Sequence, residues 1–430
     1  MQLIPSRPAG EVMRALSAGQ PCVFANPLKV PDALANSRLS LADIEAAEGR
    51  LRRFAPLLQA VFPELEETGG IIESPLLPGD ALASYVGLQL EQLWIKADSA
   101  LPVAGSVKAR GGVYEVLAFA EKIAREAGLL TEGDYRSLGS REARDCFSGH
   151  TVVVGSTGNL GFSIGLTARA LGLGAEVHMS SEAKAWKKAR LRKVGATVVE
   201  HEGDYRSAVA EARRIAEADP KRYFVDDEHS ETLFIGYATA ALRLKEQFAQ
   251  AGIVPTEEAP VVVFLPCGVG GAPGGITFGL KAVFGEAVKT VLVQPVEAPC
   301  FLLRALRPDE PDITVYDIGR TNRTVADGMA VPCVSDLVFQ LVGKAVDGFV
   351  SVSDPAMLDW VNRTWRDMEL RLEPSGAAGF AALERVLPEM ERPARARFVV
   401  WTTGGAMLPD DEFEPLLTTS LSSAGTGGAR

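Results

Sequence analysis

From about residue 150 onward, short runs rich in β-branched residues alternate with segments of helical periodicity. The runs predict strands at 151–154, 175–179, 196–200, 222–225, 260–265 and 290–295. The segments between them predict helices at 160–171, 183–194, 204–218, 231–250 and 275–284. Strands that alternate with helices form parallel sheets covered by helices on both faces. The sequence therefore predicts an α/β fold, which binds ligands beyond the carboxyl ends of its strands.

Composition and charge argue against several classes of function. The chain has 430 residues and a net charge of −11, whereas nucleic-acid-binding proteins usually present a basic surface. The first ten residues lack a signal-peptide pattern, and no apolar run reaches the roughly 18–20 residues of a membrane-spanning helix. The five cysteines are scattered without a CxxC pair, which is typical of a reducing compartment. We therefore expect a cytoplasmic protein without nucleic-acid or membrane partners.

One lysine, Lys108, lies in a turn of small residues at the start of a predicted helix, in the segment GSVKARGG at 105–112. Small neighbours let a bulky group approach the ammonium. A lysine in this setting suggests a Schiff base with pyridoxal phosphate. Taken alone, the same pattern is also typical of a surface lysine at a helix start.

The loop PCGVGGAPGG at 266–275 follows a buried strand and opens a helix. Backbone N–H groups in such a loop form an anion site at the helix N-terminus. The loop lacks the Gly-Lys-Ser/Thr of a Walker A motif, and Pro273 breaks the dinucleotide-binding fingerprint. A glycine-rich turn without a ligand is the alternative interpretation.

The segment GSTGNLG at 155–161 is a second turn from a strand to a helix. Its backbone donors and hydroxyl groups suit a substrate carboxylate, and the candidates are Ser156, Thr157 and Gly158. The amide of Asn159 is a candidate donor to the phenolic oxygen of the cofactor. An ordinary capping turn would use the same residue types.

Three further segments carry polar groups at the ends of predicted strands or helices. Thr403 lies in the segment VVWTTGG at 399–405, a short predicted strand that ends in hydroxyl groups and glycines. It is a candidate neutral partner for a pyridine nitrogen, although an edge threonine is common in any strand. Asp226 and Asp227 end another strand and are candidates for acid–base catalysis, with a solvated acidic turn as the alternative. Glu373 precedes a helix and is a candidate ligand for a monovalent cation.

Taken in order, these motifs resemble the β-family (fold type II) of pyridoxal-phosphate-dependent enzymes. The resemblance runs from about residue 94 to 409, and the stretches LPVAGSVKARGGVYEVL, VGSTGNLGFSIG, DDEHSETLFIGY and PCGVGGAPGGITFGLK are most similar to ammonia-lyases that act on D-serine. The resemblance implies that Lys108 forms the Schiff base, that Asn159 contacts the ring hydroxyl and that Thr403 faces the pyridine nitrogen. It also implies that the phosphate is held by Gly268, Val269, Gly270 and Gly271.

The same resemblance implies two open, twisted, mostly parallel sheets covered by helices. We expect a larger cofactor-binding domain of residues 1–140 and 255–415 and a smaller domain of residues 145–250. The Ser/Gly/Thr-rich residues 416–430 are expected to be disordered. No coiled-coil heptads occur, and the resemblance implies a monomer.

The expected reaction is β-elimination of D-serine, with D-threonine as a second substrate, giving pyruvate and ammonia from D-serine. Lys108 is the leading candidate for the base that removes the α-proton, and Thr157, Asp226 and Asp227 are its rivals. An L-serine or threonine dehydratase or a serine racemase are alternatives of the same fold. A dinucleotide-binding oxidoreductase is disfavoured by the glycine spacing. A non-catalytic α/β binding module is the third interpretation.

Overall fold

The computed structural model describes residues 4–130, 133–156, 158–181, 183–202, 205–391 and 395–424. Its strands are β1 (Val23–Ala25), β2 (Leu76–Pro78), β3 (Leu93–Ala97), β4 (Thr151–Gly155), β5 (Gly174–Ser180), β6 (Thr197–His201), β7 (Arg222–Val225), β8 (Val261–Pro266), β9 (Val288–Pro295), β10 (Gly348–Val352) and β11 (Arg397–Thr402). Each strand predicted from the alternation is present, with its ends moved by at most two residues.

Helices separate most of these strands. They are α1 (Ala9–Ser17), α2 (Leu41–Val61), α3 (Asp80–Ala83), α4 (Lys108–Glu126), α5 (Arg141–Phe147), α6 (Asn159–Leu171), α7 (Ala185–Lys193), α8 (Tyr205–Glu217), α9 (Glu231–Ala238), α10 (Ala240–Gln250), α11 (Gly271–Phe284), α12 (Cys300–Leu306), α13 (Asp336–Val342), α14 (Asp354–Met368), α15 (Pro374–Val386) and α16 (Asp410–Ala424). Among the helices of the described ranges, none has the length and apolar composition needed to cross a membrane.

The chain divides into two compact units. The first unit contains residues 1–41, 74–100 and 240–430, and the second contains residues 42–73 and 101–239. The predicted domains had placed residues 42–73 and 101–140 in the larger domain. They fall in the second unit, where α4 packs against α6 and α9 and Arg50 of α2 pairs with Glu121 of α4. Residues 240–250, predicted in the smaller domain, fall in the first unit, where α10 packs against α11. Residues 416–424 of the tail that was expected to be disordered lie in α16, and residues 425–430 lie outside the described residues.

The first unit is built on a sheet with the strand order β1-β10-β9-β8-β11-β3-β2. The interior strands pair in parallel, and the two edge strands, β1 and β2, are antiparallel to their neighbours. Strand β8 is buried at every position, as expected for a parallel strand covered on both faces. Helix α15 packs against β8, β9, β10 and β11.

The second unit is built on a parallel sheet with the strand order β6-β5-β4-β7. Helix α8 packs against β4 and β7, and α6 packs against β4 and β5. The predicted α/β class with mostly parallel sheets is confirmed in both units. Each Gly-rich turn singled out in the sequence follows the carboxyl end of a parallel strand, β4 in the second unit and β8 in the first.

Candidate active site

Lys108 is the first residue of α4 in the second unit, and its side chain is 22% exposed. Its Nζ atom lies 4.0 Å from Oδ1 of Asp227 and 5.8 Å from the centroid of the Tyr237 ring. A carboxylate and an aromatic ring therefore flank the ammonium group. Lys108 therefore has an acidic neighbour with which a proton could be exchanged.

The glycines that follow Lys108 bring three helices together. A Cβ atom at Gly111 would lie 2.5 Å from Cε2 of Tyr237 on α9, and a Cβ atom at Gly112 would overlap Ser163 on α6. The Ser163 hydroxyl donates to the carbonyl of Lys108 over 3.2 Å. The sequence suggested that the small residues give a bulky group access to the lysine. In the structure, these two glycines instead allow α9 and α6 to pack closely on α4.

Three buried polar atoms in this part of the second unit have no hydrogen-bond partner among the described residues. They are Oγ of Ser106, Oδ1 of Asp227 and Oη of Tyr237. Burial, and then the charge of Asp227, raise the pKa of Tyr237 well above its usual value, so this phenol is a hydrogen-bond donor. Buried polar atoms without partners are costly unless a ligand or water satisfies them. The residues around Lys108 therefore fit a bound polar ligand.

The two neighbouring aspartates have different surroundings. Oδ1 of Asp226 accepts hydrogen bonds from the backbone N–H groups of Glu228 (3.0 Å) and His229 (3.2 Å), and its Oδ2 pairs with Arg213 at 2.8 Å. Asp226 therefore caps the turn at 226–229. Asp227 is the member of the pair that faces Lys108.

The turn after β4 holds the predicted carboxylate-binding residues. The buried hydroxyl oxygen of Ser156 accepts hydrogen bonds from the N–H groups of Gly158 (3.3 Å) and Gly161 (3.0 Å), so the serine braces the turn. Asn159 is the first residue of α6 and is partly exposed. Thr157 lies outside the described residues.

The loop after β8 lies in the first unit. Gly270 is the N-cap of α11 and has φ +112°, and no side chain of the described residues caps this helix. The first N–H groups of a helix have no partner within it, so they are available to an anion. A Cβ atom at Gly268 would lie 3.0 Å from the carbonyl oxygen of Gly328, so the backbone there has little space for a side chain. These features fit a phosphate group held by the backbone of residues 268–271.

The two threonines at the end of β11 also differ. The Thr402 side chain is buried, and its Oγ1 lies 3.1 Å from the carbonyl oxygen of Lys96 and 3.0 Å from Oγ of Ser99. Thr403 is partly exposed, and within the described part of the chain its hydroxyl makes no hydrogen bond. Thr403 is therefore the member of the pair with a hydroxyl available to a ligand.

Glu373 is the N-cap of α15 and is 7% exposed. Its backbone N–H donates to the carbonyl of Gly404 over 2.9 Å, which ties the start of α15 to the glycines after β11. Within the described residues, no cluster of three or more His, Cys, Asp or Glu side chains could hold a metal ion. The monovalent cation at Glu373 stays a prediction.

The sequence patterns did not point to Ser106, Tyr237 or Glu115 as site residues. Glu115 lies on α4, seven residues after Lys108, and is 1% exposed. Its carboxylate accepts hydrogen bonds from Tyr223 and Ser230. The one signal in the sequence was a charged residue, Glu115, among the apolar residues of a helix. Its partners could not be predicted, because they are distant in the sequence.

Known proteins with similar sequences cover nearly the whole chain. A "Probable D-serine dehydratase" of Rhizobium etli (strain CIAT 652) is 45% identical over 440 residues, covering 98% of each chain. "D-serine dehydratase 2" of Escherichia coli O6:K15:H31 (strain 536 / UPEC) is 47% identical over 395 residues, covering 88% of this chain and 89% of its own.

Solved structures agree in fold. Holo diaminopropionate ammonia lyase from Escherichia coli has a TM-score of 0.73 at 18% identity and covers 93% of this chain and 97% of its own. The family described as "Pyridoxal-phosphate dependent enzyme" matches residues 67–404, which include Lys108 and both Gly-rich turns. The chain therefore belongs to the pyridoxal-phosphate-dependent enzymes.

Proposed function

We propose that the chain is an ammonia-lyase that converts D-serine to pyruvate and ammonia by β-elimination. The observation that carries the proposal is the identity of 45–47% over nearly the full length to proteins named D-serine dehydratase. The reaction balances without an external oxidant or reductant, because water is lost from the amino acid and then added back when ammonia leaves.

Bound pyridoxal phosphate supplies an electron sink for the negative charge that develops at the α-carbon of the substrate. Lys108 is the proposed point of covalent attachment. With the substrate amine bound in its place, Nζ of Lys108 would accept the α-proton. Asp227 is the proposed second proton-carrying group, and its distance of 4.0 Å from Nζ supports this role. Asp226 was also a candidate for the base, but its contacts support a structural role.

The other roles follow the contacts available to each residue. We assign the phosphate to the backbone of Gly268, Val269, Gly270 and Gly271, because the uncapped start of α11 suits an anion. Thr403 is the proposed neutral partner of the ring nitrogen. Asn159 is the proposed donor to the ring hydroxyl.

The turn after β4 is the proposed site of the substrate carboxylate. Its proposed contacts are Ser156, Thr157 and Gly158, which follow the carboxyl end of a parallel strand. A monovalent cation at Glu373, a monomeric state and a cytoplasmic location complete the proposal. Within the described residues none of the five cysteines forms a disulfide, which supports a reducing compartment.

The test is a substrate comparison with purified protein and added pyridoxal phosphate. Pyruvate is measured from D-serine and L-serine, 2-oxobutyrate from D-threonine and L-threonine, and the chirality of the remaining serine is followed. We expect kcat/KM for D-serine to exceed that for L-serine at least about 100-fold. Lys108→Ala is the matched inactive control. Preference for L-serine would identify an L-serine dehydratase instead, and loss of chirality without pyruvate would identify a racemase.

A further inference from the structure

We propose that Glu115 is a positioning residue that fixes the loop 226–230 to α4 and thereby holds the Asp227 carboxylate against Lys108. The inference rests on the proposed function, because it gives Asp227 a part in the elimination. Glu115 itself has no assigned contact with substrate or cofactor. All the residues concerned belong to the second unit.

Glu115 joins the two ends of the loop to the helix that carries Lys108. Oε1 of Glu115 accepts a hydrogen bond of 2.6 Å from the Tyr223 hydroxyl on β7, just before the loop. The Ser230 hydroxyl, at the end of the loop, lies 3.0 Å from Oε1 and 2.9 Å from Oε2. One carboxylate therefore holds the residues on both sides of Asp227.

Ser230 transmits this attachment to the loop and to α9. Its hydroxyl donates to Glu115 and accepts the N–H of Leu233 over 3.0 Å, so the same group caps α9. Its backbone N–H donates to the carbonyl of Asp226 over 3.0 Å. Movement of Ser230 would therefore displace the turn from which Asp227 reaches Lys108.

The environment of Glu115 explains why both hydroxyl donors matter. No ion pair within the described part of the chain involves Glu115, and the acidic group Asp226 lies close enough to oppose its charge. Burial, with the charge of Asp226, raises the pKa of Glu115, whereas the hydrogen bonds from Tyr223 and Ser230 lower it. Tyr114 on α4 and Tyr237 on α9 are further titratable groups that interact with this carboxylate. The hydrogen bonds from these two hydroxyl groups therefore offset the cost of burying a carboxylate at this position.

Hydrogen exchange of the cofactor-free protein tests the attachment without substrate. Glu115→Gln should speed exchange of the amides at 226–230 about tenfold or more, because the loop loses its anchor. Tyr223→Phe should act in the same direction, since it removes one donor and keeps the ring that stacks on Phe119. Glu126→Gln, at an exposed position of the same helix, should leave exchange in the loop unchanged.

Kinetics test whether the attachment acts through Asp227. Glu115→Gln should lower kcat for D-serine about 10- to 100-fold and change KM less than about threefold, because a proton-transfer group is displaced. In the double variant Glu115→Gln/Asp227→Asn, kcat should fall no more than about twofold below that of Asp227→Asn alone. A merely structural contribution would add its full loss to that of Asp227→Asn.

Faster exchange in the loop together with non-additive losses of kcat supports the proposal. Exchange at the wild-type rate, or losses that are fully additive, overturns it. If Glu115→Gln does not fold, Tyr223→Phe is judged by the same two criteria. Failure of the proposed function gives a different result, because the wild-type protein would then release no pyruvate from D-serine while the exchange measurement would still decide the role of Glu115.

Discussion

Nζ of Lys108 lies 4.0 Å from Oδ1 of Asp227, and that oxygen is buried without a hydrogen bond from any described residue. A buried carboxylate oxygen in this state is available to accept a hydrogen bond from a ligand donor. The neighbouring Asp226 uses its oxygens to cap a turn and to pair with Arg213. Two adjacent carboxylates at the end of β7 therefore have separate tasks.

Asp227→Asn should lower kcat for D-serine about 100-fold or more, because the amide cannot carry a proton in the elimination. Asp226→Asn is the matched control. It keeps the oxygen that accepts from the turn and loses the partly exposed ion pairs with Arg213 and His229, so kcat should stay within about threefold and stability within about 1 kcal/mol. Steady-state kinetics and urea unfolding check both variants. Equal losses of kcat in the two variants would contradict the division of roles.

Gly270→Asp should weaken the binding of pyridoxal phosphate at least about 30-fold, because a carboxylate would stand beside the N–H groups assigned to the phosphate. The residue has φ +112°, and its Cβ atom would lie 3.2 Å from Cγ1 of Val338, so some stability is lost as well. Gly319→Asp controls for the backbone strain, since Gly319 has φ +76° with open space around it.

Fluorescence titration of the cofactor-free variants measures the Kd for pyridoxal phosphate. The Gly319→Asp protein should bind as the wild type does, although both substitutions cost about 1–2 kcal/mol of backbone strain. An unchanged Kd in Gly270→Asp would remove residues 268–271 from the phosphate site.

The sequence contains most of what defines the fold and only part of what defines the site. Alternating patterns predicted the parallel strands, because a buried strand and an amphipathic helix leave distinct periodicities. The start of α11 was placed four residues late, at Gly275 instead of Gly271, because Pro273 and its glycines suggested a loop. Proline is tolerated in the first turn of a helix, where its missing N–H would have no partner.

Contacts that depend on tertiary structure could not be predicted. The expected helix 231–250 is interrupted at Thr239, whose hydroxyl donates to the carbonyl of Gly236 over 2.8 Å and competes with the helical pattern. The hydrogen bonds between Glu115 and Ser230 join two helices that no local pattern connects. The different contacts of Asp226 and Asp227 likewise follow from the shape of one turn.

Thr402→Val should lower the free energy of unfolding by about 1–3 kcal/mol, because the carbonyl of Lys96 and the groups of Ser99 would lose a buried partner. Thr403→Val should change stability by less than about 0.5 kcal/mol, since the partly exposed Thr403 hydroxyl makes no hydrogen bond within the described residues. Chemical denaturation measures both values. Equal losses of stability would argue against the distinction between the two threonines.

Thr403→Asp addresses the proposed ring contact. A carboxylate at this position would favour protonation of the cofactor nitrogen, so we expect slower pyruvate formation and more transamination or racemisation. Product analysis after incubation with D-serine measures this. A Thr403→Asp enzyme with wild-type turnover and absorption spectrum would exclude the neutral partner.

Glu121→Gln should destabilise the protein at neutral pH and lose this effect in acid. Burial opposes ionisation of Glu121, but hydrogen bonds from Tyr135 and Arg50 prevail and lower its pKa to about 2. A carboxylate with a lowered folded-state pKa contributes stability above its ordinary pKa, and this contribution disappears as the pH falls from about 4.5 to about 2.

The expected difference between wild type and Glu121→Gln is about 1–2 kcal/mol at pH 7, after allowance for solvent screening. It should shrink steadily below about pH 4.5, as urea unfolding at a series of pH values would measure. Glu126→Gln, exposed on the same helix, should stay within about 0.5 kcal/mol of wild type throughout. A difference that is independent of pH would show that Glu121 contributes by packing and not by charge.

The attachment of the cofactor to Lys108 is the claim on which the site depends. Reduction of the holoenzyme with borohydride, followed by proteolysis and mass spectrometry, locates the lysine that carries the pyridoxyl group. We predict a single labelled peptide that contains Lys108, and no label in the Lys108→Ala protein. A label on another lysine, such as the fully buried Lys96 of the first unit, would contradict the account.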